Sequence, residues 1–222
     1  MARLPAFLRR GEIRANSTAA ILFMVAGSTI LLGIITAEAL FPGEYSTSEH
    51  SVSTLASTFE PGGDVREPSA TIFNLTMIFT GLMIAGGAFL LSGYGRAMPI
   101  ALGILGIAVF LVGIFPGEIV DGEPSTEGAH PIVAMLAFLG GGSAALLAAR
   151  VTHAPFRYLS ALFGLICLAA LFSSGALGDT KLEEGGVERW VIYPVVLWLL
   201  ALGGYLLGAK QGGPEAEDRL PG

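Results

Sequence analysis

Ser53, His130 and Glu188 are the residue types of a nucleophilic triad, spread over three separate loops of a 222-residue chain. A serine hydroxyl becomes a nucleophile when a base stands within hydrogen-bond reach and a third group orients that base. Ser53 would be the nucleophile, His130 the base, and Glu188 or Glu118 the orienting acid, acting on a lipid or lipid-linked substrate. No Gly-x-Ser-x-Gly elbow flanks any serine, so the triad rests on residue type alone. A second chemistry would use His50 and His130 with nearby carboxylates as zinc ligands, but the two histidines share no fixed spacing. The third use is the plainest. Polar groups at helix ends need partners whatever a protein does, so the same residues can cap helices and present a binding surface. On that reading Glu38, His50, Ser53, Asn74, Glu118, His130, Glu188 and Arg189 are the ligand-binding positions. Binding is expected over catalysis, and no cofactor is implied.

The elements that must position these residues are apolar helices. The chain is 53% hydrophobic and only 14% charged, which removes it from the ordinary range of soluble domains. Six apolar runs stand out, at 19–41, 69–91, 98–115, 131–149, 158–177 and 190–208. At about 1.5 Å per residue each matches a hydrocarbon core of about 30 Å. Lipid offers backbone groups no hydrogen-bond partner, and barrel strands would alternate apolar and polar residues, so the runs are expected to be helices. The predicted fold is all-α, six transmembrane helices in one bundle, 19–208, between a basic N-terminus at 1–18 and a disordered tail at 209–222. AEA at 37–39 resembles a signal cleavage site, but the run before it is longer than a usual signal core and is read as a permanent span. Cys167 stands alone and is read as a packing residue.

Charge sorts by alternate loops. Nine of the 12 basic residues (Arg3, Arg9, Arg10, Arg14, Arg96, Arg150, Arg157, Lys210 and Arg219) fall with the two termini and the short loops. The other side has Arg66, Lys181 and Arg189 alone. The positive-inside rule therefore predicts a multi-pass protein of the cell membrane with both termini cytoplasmic. Most acids lie in the opposite loops, among them Glu44, Glu49, Glu60, Glu118, Asp121 and Glu188, which argues against nucleic acid as a partner. The cytoplasmic loops are short, whereas the outward loops run to about 27, 15 and 12 residues, lengths that carry function or disorder. Any site is expected on the outward face. The first of these loops contains EYSTSEHSVSTLA at 44–56, expected to be ordered and to cover the mouth of the bundle, with Ser53 and His130 together beneath it.

Within the six runs Glu38 is the one Asp, Glu, Lys, Arg or His. An ion-coupled pump would need several, so that class loses ground, and transport of a small neutral solute remains as an alternative. GGG at 140–142 and the G-x-x-x-G at 204–208 are expected to bring helices of the bundle close, with homo-oligomerisation or a membrane-protein partner as their other use. Asn74 is expected to hydrogen-bond a neighbouring helix, and His130 to cap the fourth helix ahead of Pro131. Membrane lipids are the remaining expected partners.

VSTL in the first long loop, IFN at 72–74, GIFPGE at 113–118 and HP before the fourth helix together resemble domain-of-unknown-function family 998, prokaryotic membrane proteins. GGVERWVIYPVVLWL at 185–199 is similar to members from salt-loving archaea, which fits the acidic loops. The resemblance covers about residues 20–208 and implies a six-helix fold without an established activity. Where the family's first loop often reads Ser-Asp-Leu-Gly, this chain has Ser53, Thr54, Leu55 and Ala56, so the loop acid is missing.

Overall fold

The computed structural model describes residues 16–59, 63–91 and 96–211. Most of the basic N-terminus, part of the loop at 92–97, Glu60 and nearly all of the predicted disordered tail lie outside them. Among the described residues there are seven helices: α1 (Ser17–Ala39), α2 (Ser69–Leu90), α3 (Ala97–Ile114), α4 (His130–Val151), α5 (Phe156–Phe172), α6 (Ser174–Gly178) and α7 (Glu183–Gln211). Five of them, α1, α2, α3, α4 and α7, are long and apolar enough to cross a membrane. α5 is apolar but only 17 residues long. The expected fifth run does not continue as one helix to residue 177. It stops at Ser173, where two serines and a glycine begin the separate short α6.

Apolar side chains point outward all around the bundle, including Leu32, Phe79, Ile107, Ile132 and Leu165, each more than half exposed. In water that surface would drive aggregation, whereas in a bilayer it is the expected solvent contact. The chain is a multi-pass membrane protein.

Neighbouring helices pack in the order α1, α2, α3, α4, α5, α7 and back to α1, and α4 and α7 also touch directly. α1, α2, α3, α4 and α7 thus form an inner ring around the central cavity, with α5 behind the α4–α7 contact. Glycine sets the closest crossings. A methyl group at Gly106 would come 2.4 Å from the Ala85 backbone nitrogen, and one at Gly81 would come 2.3 Å from that of Phe110, so α2 and α3 touch backbone to backbone. Gly203 meets Ala20 and Met24 across α1 and α7, and Gly140 to Gly142 pack against α3, α7 and α5 in turn. Gly204 and Gly208 differ from expectation. Nothing lies within 4 Å of a methyl group built on either, so this pair faces out of the bundle and Gly203 makes the contact instead. Fully buried Leu102, Leu202 and Leu206 fill the end of the ring near the short loops. Trp198 donates to Ser160 Oγ at 3.1 Å and ties α7 to α5.

The long loops carry a small sheet, an addition to the expected all-α fold. β1 (Thr58–Phe59) pairs in parallel with β2 (Glu118–Val120), which pairs antiparallel with β3 (Glu123–Pro124). Asp121 and Gly122 turn between β2 and β3 with φ of 53° and 87°, the left-handed pair a two-residue hairpin needs.

Candidate functional site

One side chain holds the first long loop to α7. Arg189 donates from Nη1 to the carbonyls of Thr47 at 2.8 Å, His50 at 3.0 Å and Gly185 at 2.8 Å. Its Nη2 donates to Glu38 Oε1 at 2.5 Å and to the Tyr45 hydroxyl at 2.7 Å. The helix carrying Arg189 begins at Glu183, seven residues ahead of the expected start, so Glu188 and Arg189 sit inside α7 rather than at its mouth. The loop can lie this close because residue 185 is glycine: a methyl group there would come 2.1 Å from the His50 carbonyl oxygen. Gly186 adds a backbone hydrogen bond to the Ser48 carbonyl at 3.1 Å. Burial pushes the Tyr45 hydroxyl up to about 12, against the opposing pull of the Arg189 guanidinium. Tyr45 therefore keeps its proton and donates it to the Ser51 carbonyl at 3.2 Å.

Glu188, one residue earlier, has a different task. Its carboxylate accepts hydrogen bonds from the backbone N–H groups of Val52 and Ser53, at the start of a 3-10 turn over Ser53–Ala56. Acceptors are stabilising there because the first amides of a helical turn have no partner within it. The hydroxyls of that turn are internally connected: Ser51 Oγ lies 3.0 Å from Ser53 Oγ and 2.9 Å from Thr54 Oγ1, and Ser57 Oγ donates to the Ser53 carbonyl at 2.9 Å.

His130 does not cap its own helix. Its Nδ1 reaches 2.8 Å to the Phe115 carbonyl at the end of α3, and Ala129 occupies the position before the helix. A carbonyl only accepts, so Nδ1 carries the proton and Nε2 is left with its lone pair. A methyl group at Gly117 would sit 2.7 Å from Ser57 Oγ and 3.6 Å from His130 Nε2, so the glycine keeps open a small gap beside the ring.

Ser53, His130 and Glu188 come together at the long-loop end of one narrow cavity of about 80 Å³ inside the five-helix ring. The rest of its wall is apolar: Ile30 and Ile34 of α1, Met77 of α2, Leu105 of α3, Ala137 of α4 and Leu199 of α7 represent each helix. From Glu188 to Leu199 is 11 residues of helix, a depth of about 16 Å. An apolar space of this kind excludes water and suits hydrocarbon.

The other predicted positions lie elsewhere. His50 faces a separate, more polar recess with Glu49, Ser51 and Glu184, its Nδ1 accepting from the Ser46 amide at 3.0 Å and its ring stacked on Tyr45. His50 and His130 therefore do not share a site, and among the described residues no three His, Cys, Asp or Glu side chains gather to hold a metal. Glu118 is exposed on β2. Asn74 makes no bond to a neighbouring helix through its carbonyl: Oδ1 is buried without a partner. Glu38 serves Arg189 and not the cavity.

A family model described as "Protein of unknown function (DUF998)" matches residues 24–205. No curated protein and no solved structure matches the chain.

Proposed function

The chain belongs to the DUF998 family, proteins of unknown function, and from that premise we propose that it binds a slender amphiphilic molecule, a lipid above all, in the central cavity beneath its long loops. The observation that carries this reading is the convergence of Ser53, His130 and Glu188 on one end of an otherwise apolar space. At about 80 Å³ the cavity admits only the end of a hydrocarbon chain until its lining side chains shift. A chain that enters gains by lying along Ile34, Met77 and Leu199, while a polar head finds the His130 Nε2 lone pair and the Ser53 hydroxyl at the top. We also propose that α5 is a sixth span and that both termini are cytoplasmic in the cell membrane. An even number of crossings puts the termini on the same side, which is what the sorting of basic residues requires.

Native mass spectrometry of gently extracted protein tests the binding role. The wild type is expected to retain a small molecule of defined mass. Ala137→Leu, which fills the cavity, and His130→Asn, which keeps a donor to the Phe115 carbonyl but removes Nε2, are expected to lose it while remaining folded. Retention undiminished in both variants would sink the proposal.

One observation favours a catalytic alternative, hydrolysis or transfer on a lipid of the outer leaflet. The fixed tautomer leaves His130 Nε2 free to take a proton, as a general base must. The missing support is an orienting acid. Glu188 is engaged with the backbone of residues 52 and 53, and the Phe115 carbonyl orients the histidine instead. Transport of a neutral solute is disfavoured by the packed leucines that close the far end of the ring.

A further inference from the structure

α7 has a second face at its long-loop end. Arg189, Trp190, Tyr193 and Leu197 turn away from the cavity and form one wall of a groove of about 540 Å³. Phe163 and Ile166 of α5 make the opposite wall, and Lys181 lies at the long-loop end. This is the size of a small-molecule site, and α7 separates it from the central cavity.

Three features of the groove describe an occupant. The first is where it opens: Trp190 is 52% and Leu197 43% exposed on the membrane-facing surface, so a lipid can enter sideways. The second is charge. Of the three basic residues on the long-loop side, Arg66, Lys181 and Arg189, two belong to this groove, on a face that is otherwise acidic. Lys181 is exposed and enters no ion pair among the described residues. The third is an unmet donor. Arg189 is only 9% exposed, its Nη1 and Nη2 are engaged with protein, the Tyr193 hydroxyl of the groove wall lies against its guanidinium, and its Nε–H is buried without a hydrogen bond. A buried unpaired N–H is costly, and an anionic oxygen is the acceptor a guanidinium holds best.

We propose that the groove between α5 and α7 holds an acidic phospholipid, its phosphate between Lys181 and Arg189 and an acyl chain along Phe163, Ile166 and Leu197. The site is independent of the central cavity and of which side of the membrane the long loops face.

The test uses the full-length protein in nanodiscs of equal phosphatidylglycerol and phosphatidylcholine, extracted into detergent and weighed by native mass spectrometry. Wild type is expected to retain phosphatidylglycerol over phosphatidylcholine by about fivefold or more, the size expected for one basic residue at a membrane surface. Lys181→Glu, at an exposed position, is expected to bring the ratio to near one, and Arg66→Glu, at the same end but outside the groove, to leave it unchanged. Ala137→Leu is also expected to leave it unchanged, so a failed cavity reading and a failed groove reading give different results. Equal retention of the two lipids by wild type would overturn the proposal, as would an undiminished ratio in Lys181→Glu. So would an equal loss in Arg66→Glu, which would mean diffuse attraction rather than a site.

Discussion

Arg189 organises the long-loop end through five hydrogen bonds, to three backbone carbonyls, one carboxylate and one phenol. Removing one member of a buried ion pair leaves the other charged and unpaired, which costs far more than the pair contributes. Arg189→Met is therefore expected to lower stability by about 3–5 kcal/mol in detergent. Glu38→Gln keeps an acceptor for Nη2 and should lose less. Thermal unfolding of the two variants, side by side, checks the order. Tyr45 adds a pH signature. Its folded pKa is about 12 against an ordinary value of 10.0, so between those values the unfolded chain loses a proton that the folded chain keeps. The contribution of Tyr45 to stability is complete below pH 10 and falls as pH rises toward 12. Tyr45→Phe is expected to flatten that part of the unfolding profile relative to wild type. Glu38 and Arg189 were each visible in the sequence, one as the lone acid in a span and the other as a rare cation among acidic loops. Their pairing was not, because 151 residues separate them and no local pattern links them.

Helix crossings divide the glycines of α3 into two kinds. Gly106 touches the α2 backbone, whereas a methyl group at Gly103 would meet nothing within 4 Å. Gly106→Ala is expected to destabilise by about 1–3 kcal/mol or more through overpacking, and Gly103→Ala to leave stability unchanged or raise it by up to about 1 kcal/mol through helix propensity. Melting temperatures of the pair check this, and equal effects would mean that the α2 and α3 backbones are further apart. The apolar runs made most helices legible, since twenty apolar residues in lipid have few alternatives to a helix. The beginning of α7 was not. EEGGVER reads as a soluble loop, yet it is helical because Glu183 and Glu184 suit the first turn and Gly185 permits the loop to pack on it. The hairpin at Asp121 and Gly122 did carry a signal, an Asp-Gly pair of the kind a two-residue hairpin favours, but the flanking strands, with Glu118, Glu123 and Pro124, show no apolar alternation to support it.

At the scale of the whole molecule, the proposed six crossings make a prediction that thiol labelling checks. Cys167 is fully buried, so the native chain gives a quiet background for thiol labelling, and exposed Thr126, Ala154 and Asp179 report on three successive connections. With six spans and cytoplasmic termini, a membrane-impermeant maleimide added to intact cells is expected to label Thr126→Cys and Asp179→Cys, but Ala154→Cys only after permeabilisation. Protection of Asp179→Cys would mean that α5 does not cross, and the reverse pattern for Thr126 and Ala154 would invert the protein. The five-helix ring has a consequence for how the protein is made. Its last wall, α7, is also the last to be synthesised, so the first four membrane helices form an arc open on one side while translation continues. Bilayer hydrocarbon must fill that opening, because water cannot. If the cavity binds lipid as proposed, α7 is expected to close the ring around a chain already lying in the opening, so the cavity's first guest would come from the membrane in which the protein is made.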